Sequence, residues 1–360
     1  MTSTWDIATF RTRVQETLDA VVDEHAVRLG GLEEDATLLI DEARALLAGG
    51  KRLRAAFCWW GYAAVAGEVS AEDEPRLLRA CAALEILHAS ALVHDDYMDA
   101  SATRRGRAAT HVAFADRHRS EGWRGSPETY GAAAAILLGD LLLTWADELL
   151  RRCGLPADRV AGALELFDWT RSEVVAGQFL DVSAQARGGD HPYPVAAAML
   201  VVRYKSARYS VQRPLQIGAA LAGGSPQQLG DLGAYGLPTG EAFQLRDDLL
   251  GVLGDPTTTG KPAGDDLIEG KRTVLVAYAL EQADPAAAAE LDAGLGTQLD
   301  AAQVDRLREI IASSGAAARV EQLIDDLSAQ ARAELADADI DGAARDVLAE
   351  LLQITTQRTS

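Results

Sequence analysis

Two short acidic runs are the first residues in this sequence that could do chemistry. His94-Asp95-Asp96-Tyr97-Met98-Asp99 closes a strongly apolar stretch, and Asp247-Asp248 sits between Phe243-Gln244-Leu245-Arg246 and Leu249-Leu250. Asp95 and Asp99 are four residues apart, so a helix places both carboxylates on one face about one turn apart. Unpaired, they repel. A hard cation between them removes the conflict, and oxygen-only ligands with no His or Cys cluster point to magnesium rather than zinc. One acidic pair on a helix is ordinarily a solvated face. Two pairs, each embedded in apolar sequence, are poorly explained that way.

Basic residues gather at similar points. Gly49-Gly50-Lys51-Arg52-Leu53-Arg54 offers a flexible turn followed by three cations, and Arg104-Arg105-Gly106 follows the first acidic run closely. Lys205-Ser206, Lys261 and Gly270-Lys271-Arg272-Thr273 complete the set. Any one of these alone is ordinary surface salt bridging. In a chain with 54 acids and 34 bases, cations beside acidic clusters suggest a phosphorylated ligand held through both metal and direct contacts.

The elements that must position these groups read as helices. Leu77, Leu78, Cys81, Leu84, Leu87 and Leu92 fall roughly on one stripe leading up to Asp95, and Val320, Leu323, Ile324, Leu327 and Ala331 form another. Abundant alanine favours helix and lets neighbouring helices approach closely. No sustained two-residue alternation and no paired strand-turn-strand signal is found. Breaks fall at Gly49-Gly50, around Gly122 to Pro127, at Gly188 to Pro194, at Gly223 to Pro226 and from Gly254 to Gly264. The last is the longest irregular stretch, and it follows Asp247-Asp248 directly, where a lid would sit. The simplest architecture is all-α: residues 1–360 as one domain, a bundle of roughly ten or more helices around a central cavity.

Composition excludes several functions. The apolar share of 48% is ample for a core, and the net charge of -20 argues against nucleic acid and against a polybasic membrane contact. Cys58, Cys81 and Cys153 are scattered and lack metal-ligand spacing, as small buried residues of a reduced, cytoplasmic protein would be. The start, MTSTWDIATF, has no basic stretch followed by an apolar run, and no segment reaches about 18 uninterrupted apolar residues. Neither a signal peptide nor stable membrane insertion is therefore expected.

With these motifs in hand, the sequence resembles the trans-isoprenyl diphosphate synthases of the polyprenyl synthetase family, most of all a bacterial geranylgeranyl diphosphate synthase. The resemblance is carried by GGKRLR (Gly49 to Arg54), LHASALVHDDYMD (Leu87 to Asp99), RRG (Arg104 to Gly106), GQFLD (Gly177 to Asp181), KS (Lys205-Ser206), and FQLRDDLLG through GKPAGDDLIEGKRT (Phe243 to Thr273). A DDxxD alone is weak, since class I terpene cyclases carry one too; the ordered set is specific. A cyclase would not need GGKRLR, and a non-catalytic subunit of a heteromeric synthase would tend to lose the acidic clusters.

The resemblance implies head-to-tail condensation of isopentenyl diphosphate with an allylic diphosphate (dimethylallyl, geranyl or farnesyl) by ionisation, condensation and elimination. It implies that Lys51, Arg54, His88 and Arg105 hold isopentenyl diphosphate. Asp95, Asp96 and Asp99 would ligate two magnesium ions, with Asp247 and Asp248 holding a third from the opposite wall. Arg104, Lys205, Ser206, Gln244, Lys261 and Lys271 would meet the allylic diphosphate, with Lys205, Ser206 and Gln244 against the reacting cation. Ser90 and Ala91, five and four before the first aspartate, would floor the allylic pocket above Leu87 and Leu84. Small residues there suggest a C20 product, with C15 or longer chains as the alternatives. A homodimer is implied as well. The sequence departs from the family pattern at Gly251, where the second motif usually has a third aspartate, at Ala55, where a proline is common, and at Ala108-Ala109 after RRG.

Overall fold

The computed structural model describes residues 5–187, 193–254 and 264–357, and they are overwhelmingly helical, as the sequence predicts. By contacts the chain divides into two compact units, Met1–Leu164 with Ile217–Gly224, and Glu165–Gln216 with Ser225–Ser360.

In the first unit, α1 (Ile7–Leu29) starts at Asp6, whose carboxylate accepts from the backbone of Ala8 and Thr9, satisfying two of the donors every helix start leaves open. It is followed by α2 (Glu33–Leu47), α3 (Leu53–Ala66) and α4 (Glu74–Met98). Leu77, Leu78, Cys81, Leu84 and Leu87 are buried along α4. Each buried leucine contributes roughly 1.5–3 kcal/mol. Among the described residues, only α4 is long and apolar enough to cross a membrane, yet 72% of its apolar window is buried in the protein; it is a core helix. After it, Thr103–Arg104 (β1) and Arg107–Ala108 (β2) form a two-residue antiparallel hairpin, pairing Thr103 with Ala108 and Arg104 with Arg107.

That hairpin departs from the all-helical expectation in a small way. Its turn residues Arg105 and Gly106 have φ of 52° and 74°, the left-handed pair of a two-residue hairpin turn. The sequence signal was weak because arginine, not asparagine, occupies the first position. The unit continues with α5 (Thr110–Ser120) and α6 (Pro127–Arg151). At Gly139 of α6 a Cβ would lie 2.1 Å from the His94 ring, and at Gly131 it would lie 2.2 Å from the His111 carbonyl oxygen. Glycine is what lets α6 lie so close to α4 and α5.

The second unit holds most of α7 (Ala157–Ala186), then α8 (Val195–Val201), a π-helical segment Val202–Gln212 and the start of α9 (Arg213–Leu221). Next comes α10 (Pro226–Leu253), opened by a Ser225–Gln228 capping box. Shorter helices follow, then Ala316–Asp337 and Gly342–Thr356. The core gathers Val202, Ala242, Leu245, Leu249, Val252, Leu275, Ile310 and Ile324, and the second expected stripe contributes Val320, Ile324, Leu327 and Ala331. The expected lid segment, with Lys261, lies for the most part outside the described residues.

Candidate functional site

Each unit carries one of the two acidic motifs. In the first, Asp95, Asp96 and Asp99 end α4, and the Asp99 N–H donates to the Asp95 carbonyl at 2.8 Å, keeping the two residues one turn apart. A helix C-terminus is the negative end of the backbone dipole, so three carboxylates there oppose both the dipole and one another. Asp96 is buried and accepts from Arg104 Nε at 2.7 Å, which leaves it orienting an arginine from the hairpin. Asp95 and Asp99 are half-buried.

The expected isopentenyl diphosphate residues lie in the same unit. Gly49 and Gly50 have φ of 69° and 99°, where glycine carries no penalty. At Gly50 a Cβ would meet the Arg105 guanidinium at 3.4 Å, so the glycine turn and the hairpin tip are neighbours. Lys51 is exposed and Arg54 half-buried at the start of α3. Burial pushes the His88 imidazole well below the usual histidine range, and the charges of Arg54, Arg105, Arg104 and Arg52 push the same way. Burial and the neighbouring charges also lower Arg105, Arg52 chief among those charges. Such a concentration of cations in a protein of net charge -20 suits an anionic ligand. One cation is turned the other way: Arg52 is buried, ion-paired to Glu85 at 3.2 Å.

Of the expected floor residues, Ser90 is buried and its hydroxyl donates to the Gly139 carbonyl at 2.7 Å, which commits it to α6. Ala91 is half-buried, and Leu87 and Leu84 are buried below it.

In the second unit the π-helical segment carries Lys205 and Ser206. A Cβ on Gly177 of α7 would lie 2.2 Å from the Lys205 nitrogen, and one on Gly240 of α10 would lie 2.5 Å from the Ala207 carbonyl oxygen. The segment is thus held against two helices at main-chain distance, and π-helical turns recur where a backbone serves a site. Lys205 Nζ pairs with Asp181 at 2.5 Å. Ser206 donates to the Gln244 side-chain carbonyl, and Gln244 Nε2 donates to Asp248 at 2.7 Å. One chain of hydrogen bonds therefore links Ser206 and Gln244 to the second acidic motif, while Lys205 turns to Asp181. Burial raises the Asp248 carboxyl to about 7; Asp266 and Asp247 add to the rise, while Gln244 and Lys271 oppose it.

Gly251, the position that usually holds a third aspartate, has the Asp266 carboxylate against it, 2.2 Å from where a Cβ would stand. The backbone supports that approach, with the Gly264 N–H donating to the Gly251 carbonyl at 3.2 Å. Lys271 pairs with Glu269 and, at 3.4 Å, with Asp266. Asp181 and Asp266 both fall in motifs visible in the sequence, GQFLD and GKPAGDDLIEGKRT, yet nothing there says which side chains they meet.

The donors suit a hard divalent cation. They are all carboxylate oxygens, they sit at a helix's negative end or, as Asp248 does, buried among other acids, and a cation resolves both conflicts. Among the described residues no three His, Cys, Asp or Glu side chains form a ready-made cage.

A family profile described as Polyprenyl synthetase matches residues 37–313. The geranylfarnesyl diphosphate synthase of Aeropyrum pernix is 32% identical over 272 residues, which cover 75% of this chain and 77% of that protein. The geranylgeranyl diphosphate synthase of Methanosarcina mazei is 32% identical over 267 residues, 74% of this chain and 73% of its own. A crystal structure of geranylgeranyl pyrophosphate synthase from Corynebacterium glutamicum, complexed with isoprenyl diphosphate and magnesium, matches with a TM-score of 0.93 at 40% identity. It covers 98% of this chain and 99% of that one.

Proposed function

Since the chain belongs to the polyprenyl synthetase family and is a prenyltransferase, we propose that it condenses isopentenyl diphosphate with allylic diphosphates, using magnesium, to make geranylgeranyl diphosphate. The observation that carries the reading is the gathering of arginine charge on His88 beside the glycine turn, in the unit whose α4 ends in Asp95 and Asp99. An anion site and a cation site on one short stretch of chain are what a metal-chelated diphosphate chemistry requires.

Lys51, Arg54, Arg105 and neutral His88 bind the diphosphate of isopentenyl diphosphate. Asp95 and Asp99 hold magnesium for the allylic diphosphate, Asp96 fixes Arg104 toward it, and Asp247 and Asp248 serve as ligands on the second motif. Magnesium, when bound, neutralises charge growing on the departing diphosphate. Arg104, Lys205, Lys261 and Lys271 are the allylic diphosphate ligands that the family resemblance implies. As the allylic C1–O bond breaks, its electron pair leaves with diphosphate. The double bond of isopentenyl diphosphate then attacks C1, forming the new C–C bond, and a proton passes from C2 of that unit to the departing diphosphate. Ser206 and Gln244 turn oxygen dipoles toward the transient positive charge. We extend the reading to one catalytic domain spanning residues 1–360, acting as a homodimer in the cytoplasm.

The C20 assignment rests on Ala91, whose small side chain leaves the upper pocket open above Leu87 and Leu84. Labelled isopentenyl diphosphate with magnesium and dimethylallyl, geranyl or farnesyl diphosphate in turn, followed by sizing of the dephosphorylated products, tests class and length together. Products ending at C20 support both; C15 or chains well beyond C20 sink the length assignment alone. Asp95→Ala should lower turnover by a factor on the order of 1,000 or more, and near-normal turnover would remove the metal role.

A further inference from the structure

The turn Gly49–Arg54 does not hold itself. Gly49, Gly50 and Arg52 all have positive φ, and Arg52, at 55°, is a non-glycine residue in the left-handed region, a conformation that surrounding contacts must enforce. Those contacts come from three places. Arg52 donates to Glu85 at 3.2 Å and to the Leu47 carbonyl, and Glu85 also accepts from the Ala55 N–H at 3.1 Å. The remaining contact is from α1. Gln15 Oε1 accepts from Arg52 Nη2 at 2.6 Å and from the Gly49 N–H at 3.1 Å. Its Nε2 donates to Asp19 at 3.0 Å, which fixes the amide with its oxygen toward the turn. Gln15 therefore grips both ends of the strained stretch, the glycine that enters it and the arginine that leaves it.

We propose that Gln15 is a positioning residue for isopentenyl diphosphate: α1, which lies before the residues matched to the family, sets the turn that presents Lys51 and Arg54. Arg52 is the intermediary and does not touch substrate. Because Arg105 lies against Gly50, a turn that relaxes loses the placement of Arg105 as well. The inference rests on the proposed isopentenyl diphosphate pocket and adds how that pocket is held.

Gln15→Leu removes both accepted hydrogen bonds, one of them from a charged donor, and keeps the helix. The KM for isopentenyl diphosphate should rise about 10-fold or more, while the allylic KM and kcat stay within about twofold. Gln15→Glu combined with Asp19→Asn keeps an acceptor toward the turn and a donor toward it from residue 19, so its KM should return to within about threefold of wild type. Lys51→Ala and Arg54→Ala are measured alongside. If they raise that KM and Gln15→Leu does not, the positioning inference falls while the pocket stands. If none of the three moves it, the pocket assignment falls too. Equal losses in both KM values and kcat, or no rescue by the double variant, would make Gln15 a purely structural residue and overturn the proposal. Should Gln15→Leu fail to fold, Gln15→Asn, which withdraws the oxygen by one methylene, carries the same test.

Discussion

Gly177→Ala is the substitution that most sharply connects packing to catalysis. A methyl carbon there would lie 2.2 Å from the Lys205 nitrogen, 2.4 Å from the Tyr204 carbonyl carbon and 2.6 Å from the Lys205 Cα. Ordinary contact begins near about 3.5 Å, so α7 and the π-helical segment must separate by more than about 1 Å. All three atoms are main chain, and no rotamer change relieves the clash. Overpacking of this kind costs about 1–3 kcal/mol, and the better helix propensity of alanine offsets about 1 kcal/mol of it. The net stability loss is therefore small, a lowering of Tm by about a few degrees.

Turnover should suffer more. Lys205 holds Asp181 at 2.5 Å and Ser206 reaches Gln244, and a misplacement of about 1 Å in such a constellation costs about 100-fold. Incorporation of labelled isopentenyl diphosphate gives kcat and both KM values, and scanning calorimetry gives Tm. Gly162→Ala serves as the control on the same helix, since a Cβ there meets nothing within 4 Å, and it should leave kcat unchanged. If Gly177→Ala keeps kcat within twofold of wild type at unchanged Tm, the close approach does not govern Lys205 and the reasoning fails.

Other expectations follow from the same geometry. Lys51→Ala should raise the KM for isopentenyl diphosphate by about 10- to 100-fold through loss of a charge-assisted contact; a selective rise in the allylic KM would show that the two pockets are exchanged. Ala91→Phe should shorten the product toward C15 or C10, read by chromatography of the dephosphorylated alcohols, and an unchanged product would remove Ala91 from the floor. His88 is held below the ordinary histidine value of about 6.5 by burial and four arginines, so below that pH the unfolded chain takes up a proton that the fold refuses. Stability then falls as pH drops, by up to about 1.4 kcal/mol per pH unit. In His88→Gln the fall of Tm between about pH 6.5 and about pH 5 should flatten by one proton's worth, and an identical slope would mean that His88 takes up its proton in the fold as it does in the unfolded chain.

How much of this was legible in the sequence depends on whether the signal was local. Helical period and the ordered motifs are properties of neighbouring residues, and they placed α4, its terminal aspartates and the buried Leu77-to-Leu87 stripe correctly. The RRG turn was quoted as a motif but not seen as a hairpin, because Arg105 takes its left-handed conformation without the Asn-Gly or Asp-Gly signature. Ser90 shows the same limit at the level of a side chain: on the α4 helical wheel it is as available to a pocket as Ala91. The carbonyl of Gly139 in α6, far along the chain, is what claims its hydroxyl.

Gly251 and Arg52 mark where a motif misleads by its own completeness. Read along the chain, Gly251 is a missing carboxylate; in the fold, the bare Cα is what lets the Asp266 carboxylate come to rest beside it, so the acid absent at one position is present from another. Read along the chain, Arg52 is one of three cations after the glycine turn, with nothing to say what it meets; in the fold, a left-handed backbone turns it inward to Glu85 and Gln15. In both cases the residue type was legible and the side chain that meets it was not. Direction at a positive-φ or close-approach position is set by partners remote in sequence, Gln15 and Asp266 here. No periodicity argument reaches those partners, because the constraint that selects them is the space left by the rest of the unit.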